Sequence, residues 1–442
     1  MNTQRRLCHT EKGLWKFDQA APANTCVAAR IRGVLAESAL REGLSALRAR
    51  HPYLRAAFGL DGSGEPVFQF ERSADIPLRV LDTTPDGWLS EFEDELNDRF
   101  PALNAPFARS VWLRHAPDDH TVMLTVHHAA SDGFSLGLAM RDLVRATARA
   151  ASGSPARLEP LRDTRSVEER LPHRLWSRRG IRLLGRFVAE EARLSAKYGA
   201  PFKVPRDRPA RVEGRRFRCI PRIFDESTTR RLLARAKAEN TTVHGALAAA
   251  MILGAFREAS IARPTRVALG SPINLREALV PPVKESLGYY VSMVPYRAAV
   301  DPHASFWQLA RSIREQMSLG IARGDAPLML DLFEGVFRLL RGHSASPSEI
   351  AARWDRTVVN SMILSNLGRQ DFGLENGPLS VEAVYFCAAM SVLGDFGSVA
   401  NTFRDRLIWT FIWAEPLIGS TRAHRLMDFT AERLLQALDE AS

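Results

Sequence analysis

The sequence predicts a mixed α/β protein of two similar-sized lobes, and three observations carry that prediction. The chain has 442 residues, whereas a single hydrophobic core stops growing at about 250–300 residues. Short strand-like runs alternate with amphipathic helical runs through both halves. Between the halves, residues 152–170 and 201–213 turn polar and carry prolines, as a linker does and a core does not. The expected division is an N-terminal lobe over residues 1–170, a basic crossover over 171–215 and a C-terminal lobe over 216–442.

The elements follow in order. Residues 35–50 repeat leucine at helical spacing (Leu35, Leu40, Leu44, Leu47) and stop before His51-Pro52, where proline disfavours a helical predecessor. Residues 54–58, 66–70 and 78–81 read as short strands, 88–100 as a helix and 110–114 as a strand. A strand over 121–126 and a helix over 134–147 complete the first lobe. Residues 175–198 predict a helix and 201–213 a proline-rich loop. The second half opens with a strand over 216–224. Ser227-Thr228-Thr229 supplies a cap for a helix running to residue 238, and 242–257 reads as a buried helix. Strands over 266–269, 289–296, 358–364, 381–386 and 407–413, with helices over 305–319, 328–340 and 422–438, close the chain.

Composition narrows the function classes. With 45 % hydrophobic and 25 % charged residues, the chain is an ordinary globular one. No run approaches the ~20 apolar residues needed to cross a bilayer. The opening Met1 to Arg6 leads into polar sequence with no apolar leader core. Cys8, Cys26, Cys219 and Cys387 are scattered, with no paired spacing. A reduced, cytoplasmic setting is the expectation.

The formal charge of +10 concentrates between Arg174 and Arg218, through Arg178, Arg179, Arg182, Arg186, Lys203, Arg206, Arg208, Arg211, Arg215 and Arg216. Such a stretch would attract coenzyme A phosphates, an acidic carrier protein or anionic lipid, or would simply be a solvated linker. Aromatic residues do not interleave with it as in a single-strand groove, so no nucleic-acid partner is expected. Residues 175–198 could meet a membrane surface or pack on a lobe through Leu175, Leu183, Leu184, Phe187 and Val188.

The most informative residues directly follow the predicted strand at 121–126. His127-His128-Ala129-Ala130-Ser131-Asp132-Gly133 spells HHxxxDG across a strand-to-helix turn. Neighbouring side chains on a strand point to opposite faces. One histidine should therefore face packed interior and the other a cavity, an asymmetry suited to a single general base. The same opposition argues against a metal site built from His127, His128 and Asp132. Gly133-Phe134-Ser135-Leu136-Gly137 matches the GxSxG elbow of hydrolases. Its serine, however, lies inside the following helix rather than directly after the strand.

With its partners, the motif resembles the chloramphenicol acetyltransferase-like superfamily. That group includes the condensation domains of nonribosomal peptide synthesis, the plant BAHD acyltransferases and the polyketide-associated acyltransferases, the last being nearest in look. The opening Leu7 to Leu14 with Glu11, then His51-Pro52-Tyr53-Leu54-Arg55-Ala56-Ala57-Phe58, are similar to the family's N-terminal segments. Asn274-Leu275-Arg276, Pro281-Pro282 and Leu287-Gly288-Tyr289-Tyr290 are similar to its second-lobe segment. Ser365-Asn366-Leu367-Gly368 has its look as well. Asp371-Phe372-Gly373 and Asp395-Phe396-Gly397 lack the Trp-Gly that follows this triplet in the plant enzymes, which argues against close kinship with them.

The resemblance implies two chloramphenicol acetyltransferase-like lobes with a tunnel between them. It also implies acyl transfer from coenzyme A or from the phosphopantetheine arm of an acyl carrier protein, with no covalent acyl-enzyme and no permanently bound cofactor. His128 would be the general base and His127 structural. Asp132 would pair with Arg276, Gly133 would make room for the thioester, and Ser365 and Asn366 would stabilise the oxyanion. The chain is just long enough for two lobes, so a free-standing monomer making an ester from an alcohol is expected. An amide-forming condensation enzyme and a non-catalytic docking module are the alternatives.

Overall fold

A computed structural model describes residues 3–171, 177–357, 361–374, 377–389 and 394–440. In chain order the first part holds β1 (Gln4–Arg6), α1 (His9–Asp18), β2 (Asn24–Arg32), α2 (Glu37–Arg50), β3 (Ala57–Leu60), β4 (Pro66–Gln69), β5 (Leu78–Asp82), α3 (Trp88–Asn97), β6 (Ala108–Ala116), β7 (Asp119–His127) and α4 (Gly133–Ala151). The surface helix α5 (Arg178–Tyr198) follows. Then come β8 (Arg216–Phe224), α6 (Glu226–Ala238), α7 (Val243–Glu258), β9 (Thr265–Asn274), β10 (Val291–Val300), α8 (Phe306–Arg323), α9 (Asp325–Leu339) and α10 (Pro347–Thr357). The chain closes with β11 (Met362–Gln370), β12 (Ser380–Ala388), β13 (Phe396–Phe403), β14 (Arg406–Glu415) and α11 (Ser420–Asp439).

Two large sheets give the expected lobes. One has the order β12-β2-β7-β6-β5 and the other β10-β9-β11-β13-β14-β8, while β1-β4-β3 form a small third sheet. The strand over 380–388 thus leaves the second half's sheet and pairs antiparallel with β2 of the first. Sheet membership therefore does not follow the expected division into 1–170 and 216–442. A buried cluster of Phe17, Phe337, Ile350 and Trp354 further joins α1 to α9 and α10.

Several elements departed from their sequence signals for identifiable reasons. Residues of β2 are buried on both faces, so no polar alternation announces it. In β13, Gly397, Ser398 and Asn401 dilute strand propensity, yet it runs between β11 and β14. The α6 helix is capped by Asp225, whose carboxylate accepts the Thr228 N–H at 2.7 Å, rather than by Ser227-Thr228-Thr229. The predicted strand over 358–364 is seen from Met362, its first residues lying outside the described ones. Strands β9 and β11 are parallel neighbours with registered pairs at Leu269–Met362 and Gly270–Ile363. Beyond them β11 turns toward the start of α4, where Leu367 lies against Gly133.

Candidate active site

The motif begins where β7 runs out. His127 is the last residue of that strand, and residues 128–130 form one turn of 3₁₀-helix before α4. Strand alternation therefore governs only His127, while the tight turn aims His128. The His128 N–H still bonds Ala23 O at 2.8 Å, which pins the turn to the strand entering β2.

Both rings are almost wholly buried, yet their hydrogen bonds impose opposite tautomers. The Ala129 N–H donates to His127 Nδ1 at 3.0 Å, so that nitrogen carries no proton. The proton then sits on Nε2, 3.5 Å from an Asp18 oxygen. Phe58 and Phe100 pack on the His127 ring, with centroids at 4.9 and 6.2 Å. His127 is thus a core residue held in place by its own turn. In His128, Nδ1 lies 2.7 Å from Ser131 O. A carbonyl only accepts, so Nδ1 donates and the lone pair is on Nε2. Burial lowers the His128 pKa below the ordinary imidazole value, partly offset by that carbonyl. His128 is consequently neutral near pH 7 with a basic Nε2, and the ring of Tyr289 stands beside it with centroids 5.5 Å apart.

Asp132 does not pair directly with Arg276, contrary to the implied ion pair. One Asp132 oxygen caps α4 by accepting the Ser135 N–H at 2.7 Å, and the other accepts the Tyr290 N–H at 2.7 Å. Both oxygens are used on backbone donors, one from each lobe. Arg276 comes no nearer than Ser135: its Nη2 donates to Ser135 Oγ at 2.5 Å and to Ser286 O at 2.9 Å. Ser135 Oγ passes its own proton to Gly288 O at 2.6 Å. That hydroxyl is a lobe-to-lobe hydrogen-bond hub, with its donor and an acceptor lone pair both engaged. Arg276 also lies over the Tyr290 ring at 4.7 Å and the Phe134 ring at 5.3 Å. Its role is to hold the loop ahead of β10 against α4.

Sequence reasoning missed the rest of that clamp. Asp142 lies seven residues after Ser135 and therefore on the same face of α4. It accepts from Arg50 Nε at 2.7 Å and Arg141 at 2.8 Å, and it faces His51 Nε2 at 3.3 Å. Burial opposes ionisation of Asp142, but His51 and Arg141 outweigh it and hold the carboxyl at a pKa of about 2. His51 Nδ1 receives the Leu287 N–H at 3.4 Å, and Arg50 and Arg141 both reach Glu285. A buried acid at the i+7 position of an otherwise apolar helical stripe was the available signal. Tyr289 stands in the sequence only as one residue of Leu287-Gly288-Tyr289-Tyr290.

The remaining site residues lie at the start of α4 and along β11. A Cβ on Gly133 would come within 2.9 Å of a Leu367 methyl, so the space beside Gly133 is taken by a side chain of β11. Ser365 and Asn366 pair along β11 with Val399 and Ala400 of β13. The Asn366 side-chain oxygen accepts the Gly368 N–H at 3.0 Å, which leaves its amide nitrogen as the donor. No hydrogen bond joins either residue to His128 among the described residues. Nor do those residues include a group of three His, Cys, Asp or Glu placed to hold a metal ion.

The basic stretch splits in two. Arg206 and Arg215 both pair with Asp355, Arg206 also with Asp395, Arg216 with Asp94, and Arg218 with Glu93 and Glu415. Those arginines hold the protein together. Along α5, Arg182, Arg186 and Arg193 have no acidic partner among the described residues.

Comparison with known proteins gives the family and the fold. The Condensation domain model matches residues 3–330. Phosphinothricin tripeptide synthetase PhsC of Streptomyces viridochromogenes is 28 % identical over 336 residues, 73 % of this chain and 30 % of that protein. The chain thus spans less than a third of that relative. Polyketide synthase associated protein 5 from Mycobacterium tuberculosis superposes with a TM-score of 0.68 at 16 % identity, covering 99 % of this chain and 98 % of that one. The TRI3 trichothecene 15-O-acetyltransferase of Fusarium sporotrichioides does so with a TM-score of 0.71 at 12 % identity, covering 98 % and 95 %. The fold is therefore the two-lobed one of these structures, and the chain belongs to the condensation-domain family.

Proposed function

We propose that this protein transfers an acyl group from a thioester, carried by a phosphopantetheine arm or coenzyme A, to a hydroxyl acceptor. The observation that carries the reading is the His128 tautomer. Its Nδ1–H is committed to Ser131 O at 2.7 Å, leaving Nε2 as a base. The acceptor hydroxyl gives its proton to Nε2 as its oxygen attacks the thioester carbonyl. The tetrahedral intermediate collapses, the carbon–sulfur bond breaks, and the imidazolium returns the proton to the departing thiolate. General-base assistance of this kind contributes ~10²–10⁴-fold. Asn366 Nδ2 and the Ser365 hydroxyl are the candidate donors to the oxyanion. Gly133, with Leu367 beside it, would border the thioester's path.

A second reading has a specific support. The curated relative named above is a peptide synthetase, and an amine acceptor would give an amide by the same steps. A docking role is disfavoured, since docking needs no basic nitrogen held in one tautomer. The test is thiol release from short to long acyl-coenzyme A and from acylated carrier protein, with mixed alcohols and amines, and with the product mass determined. Acceptor-dependent release that disappears in His128→Ala supports acyl transfer, and the product distinguishes ester from amide. Release that is equal in His128→Ala contradicts the role of His128.

A further inference from the structure

The helix α5 lies on the surface with only Gly180 and Leu194 fully buried. At 100° per residue, Gly180, Leu183, Phe187 and Leu194 form the stripe that faces the protein. Phe187 lies under Arg297 of β10 at 3.9 Å. Glu190 and Glu191 flank this stripe and are engaged by Arg297 and Arg266. The opposite half of the helix carries no acid. Its centre line is small (Gly185, Ala189, Ala192, Ala196). On one side stand Ile181 and Val188, 54 % and 55 % exposed. On the other stand Arg182, Arg186 and Arg193, none of which has an acidic partner among the described residues. Arg179 donates to Arg323 O at 3.0 Å. That contact brings the end of α8, with Leu319 and Ile321 51 % and 52 % exposed, beside the start of α5.

We propose that α5 docks flat on an anionic lipid surface, its isoleucine and valine entering the interface and its arginines meeting acidic headgroups. Charge complementarity selects this occupant. An outward face that is apolar along one flank, cationic along the other and free of acid fits an interface that is both greasy and negative. The arginine flank runs from residue 182 to 193, ~17 Å at the helical rise, and Ile181 and Val188 accompany it over residues 181–188, a straight double row that suits an extended plane better than a small folded partner. No helix among the described residues is long and apolar enough to cross a membrane, so contact would be peripheral. The proposal does not depend on the acyl-transfer reading.

The test is co-sedimentation of the full chain with phosphatidylcholine vesicles, with and without phosphatidylglycerol. Binding should require phosphatidylglycerol and weaken with salt. Replacing three exposed arginines (Arg182→Gln, Arg186→Gln, Arg193→Gln) should lower the partition coefficient by about 100-fold, roughly five-fold for each. Ile181→Ser with Val188→Ser should lower it as well, and neither set should move the melting temperature. Failure of the wild type to bind phosphatidylglycerol vesicles, or equal binding by both variants, would overturn the proposal. Binding of an acidic carrier protein that is lost in the arginine variant, with no vesicle binding, would also overturn it and assign the face to a protein.

Discussion

His127 and His128 are the same residue type, adjacent in sequence and both buried, yet the fold gives them opposite protons. His127 accepts a backbone N–H on Nδ1 and points its own proton at Asp18. His128 gives its Nδ1 proton to a backbone carbonyl and keeps a lone pair on Nε2. The step from the last strand residue into the 3₁₀ turn separates a packing ring from a basic one. Burial alone therefore does not tell the two rings apart; the hydrogen-bond partner of each Nδ1 does.

The largest predicted effect breaks the pair at its proposed base. His128→Ala should lower acyl transfer by ~10²–10⁴-fold, while circular dichroism stays that of the wild type. Next comes the carboxylate that serves both lobes. Asp132→Ala orphans the Ser135 and Tyr290 N–H groups, at ~1–3 kcal/mol each, and should lower the melting temperature together with activity. Asp132→Asn should recover part of the loss, because the amide oxygen can cap α4 while its NH₂ faces the Tyr290 N–H without bonding it. Ser135→Ala should retain the cap through the backbone and lose only the hydroxyl hub, ~1–2 kcal/mol by urea unfolding. His127→Phe should sharpen the contrast most. Activity per folded molecule should fall far less than in His128→Ala, with the damage appearing as a stability loss of ~1–3 kcal/mol from the unbonded Ala129 N–H.

A second contrast lies within the basic stretch. Arg215 is buried and paired with Asp355, so Arg215→Gln should leave a carboxylate partly unpaired and destabilise the protein. Arg186→Gln on α5 should leave urea unfolding unchanged within ~0.5 kcal/mol.

The sequence made the lobes and the motif legible because their signals are local. Leucine spacing set out α2, and the HHxxxDG run lay between a strand and a helix. What stayed hidden depended on tertiary partners. β2 is buried on both faces and shows no alternation, and β12 crosses to the other sheet for reasons no window of residues contains. The implied Asp132–Arg276 pair put the correct residues in one neighbourhood but the wrong atoms in contact, since a backbone N–H and a serine hydroxyl leave no mark in a sequence. Asp142 and His51 were readable only as a buried acid and a histidine before proline.

The central claim is that His128 is a neutral, buried base. Because burial holds its pKa below 6.5, protonation and loss of the base occur only at lower pH. The most direct test is the single-turnover rate of acyl transfer from pH 5 to pH 8, with stability monitored in parallel. An acid limb centred below 6.5 and absent from the residual rate of His128→Ala is the predicted result. A limb centred at or above 6.5, or the same limb in His128→Ala, would contradict it.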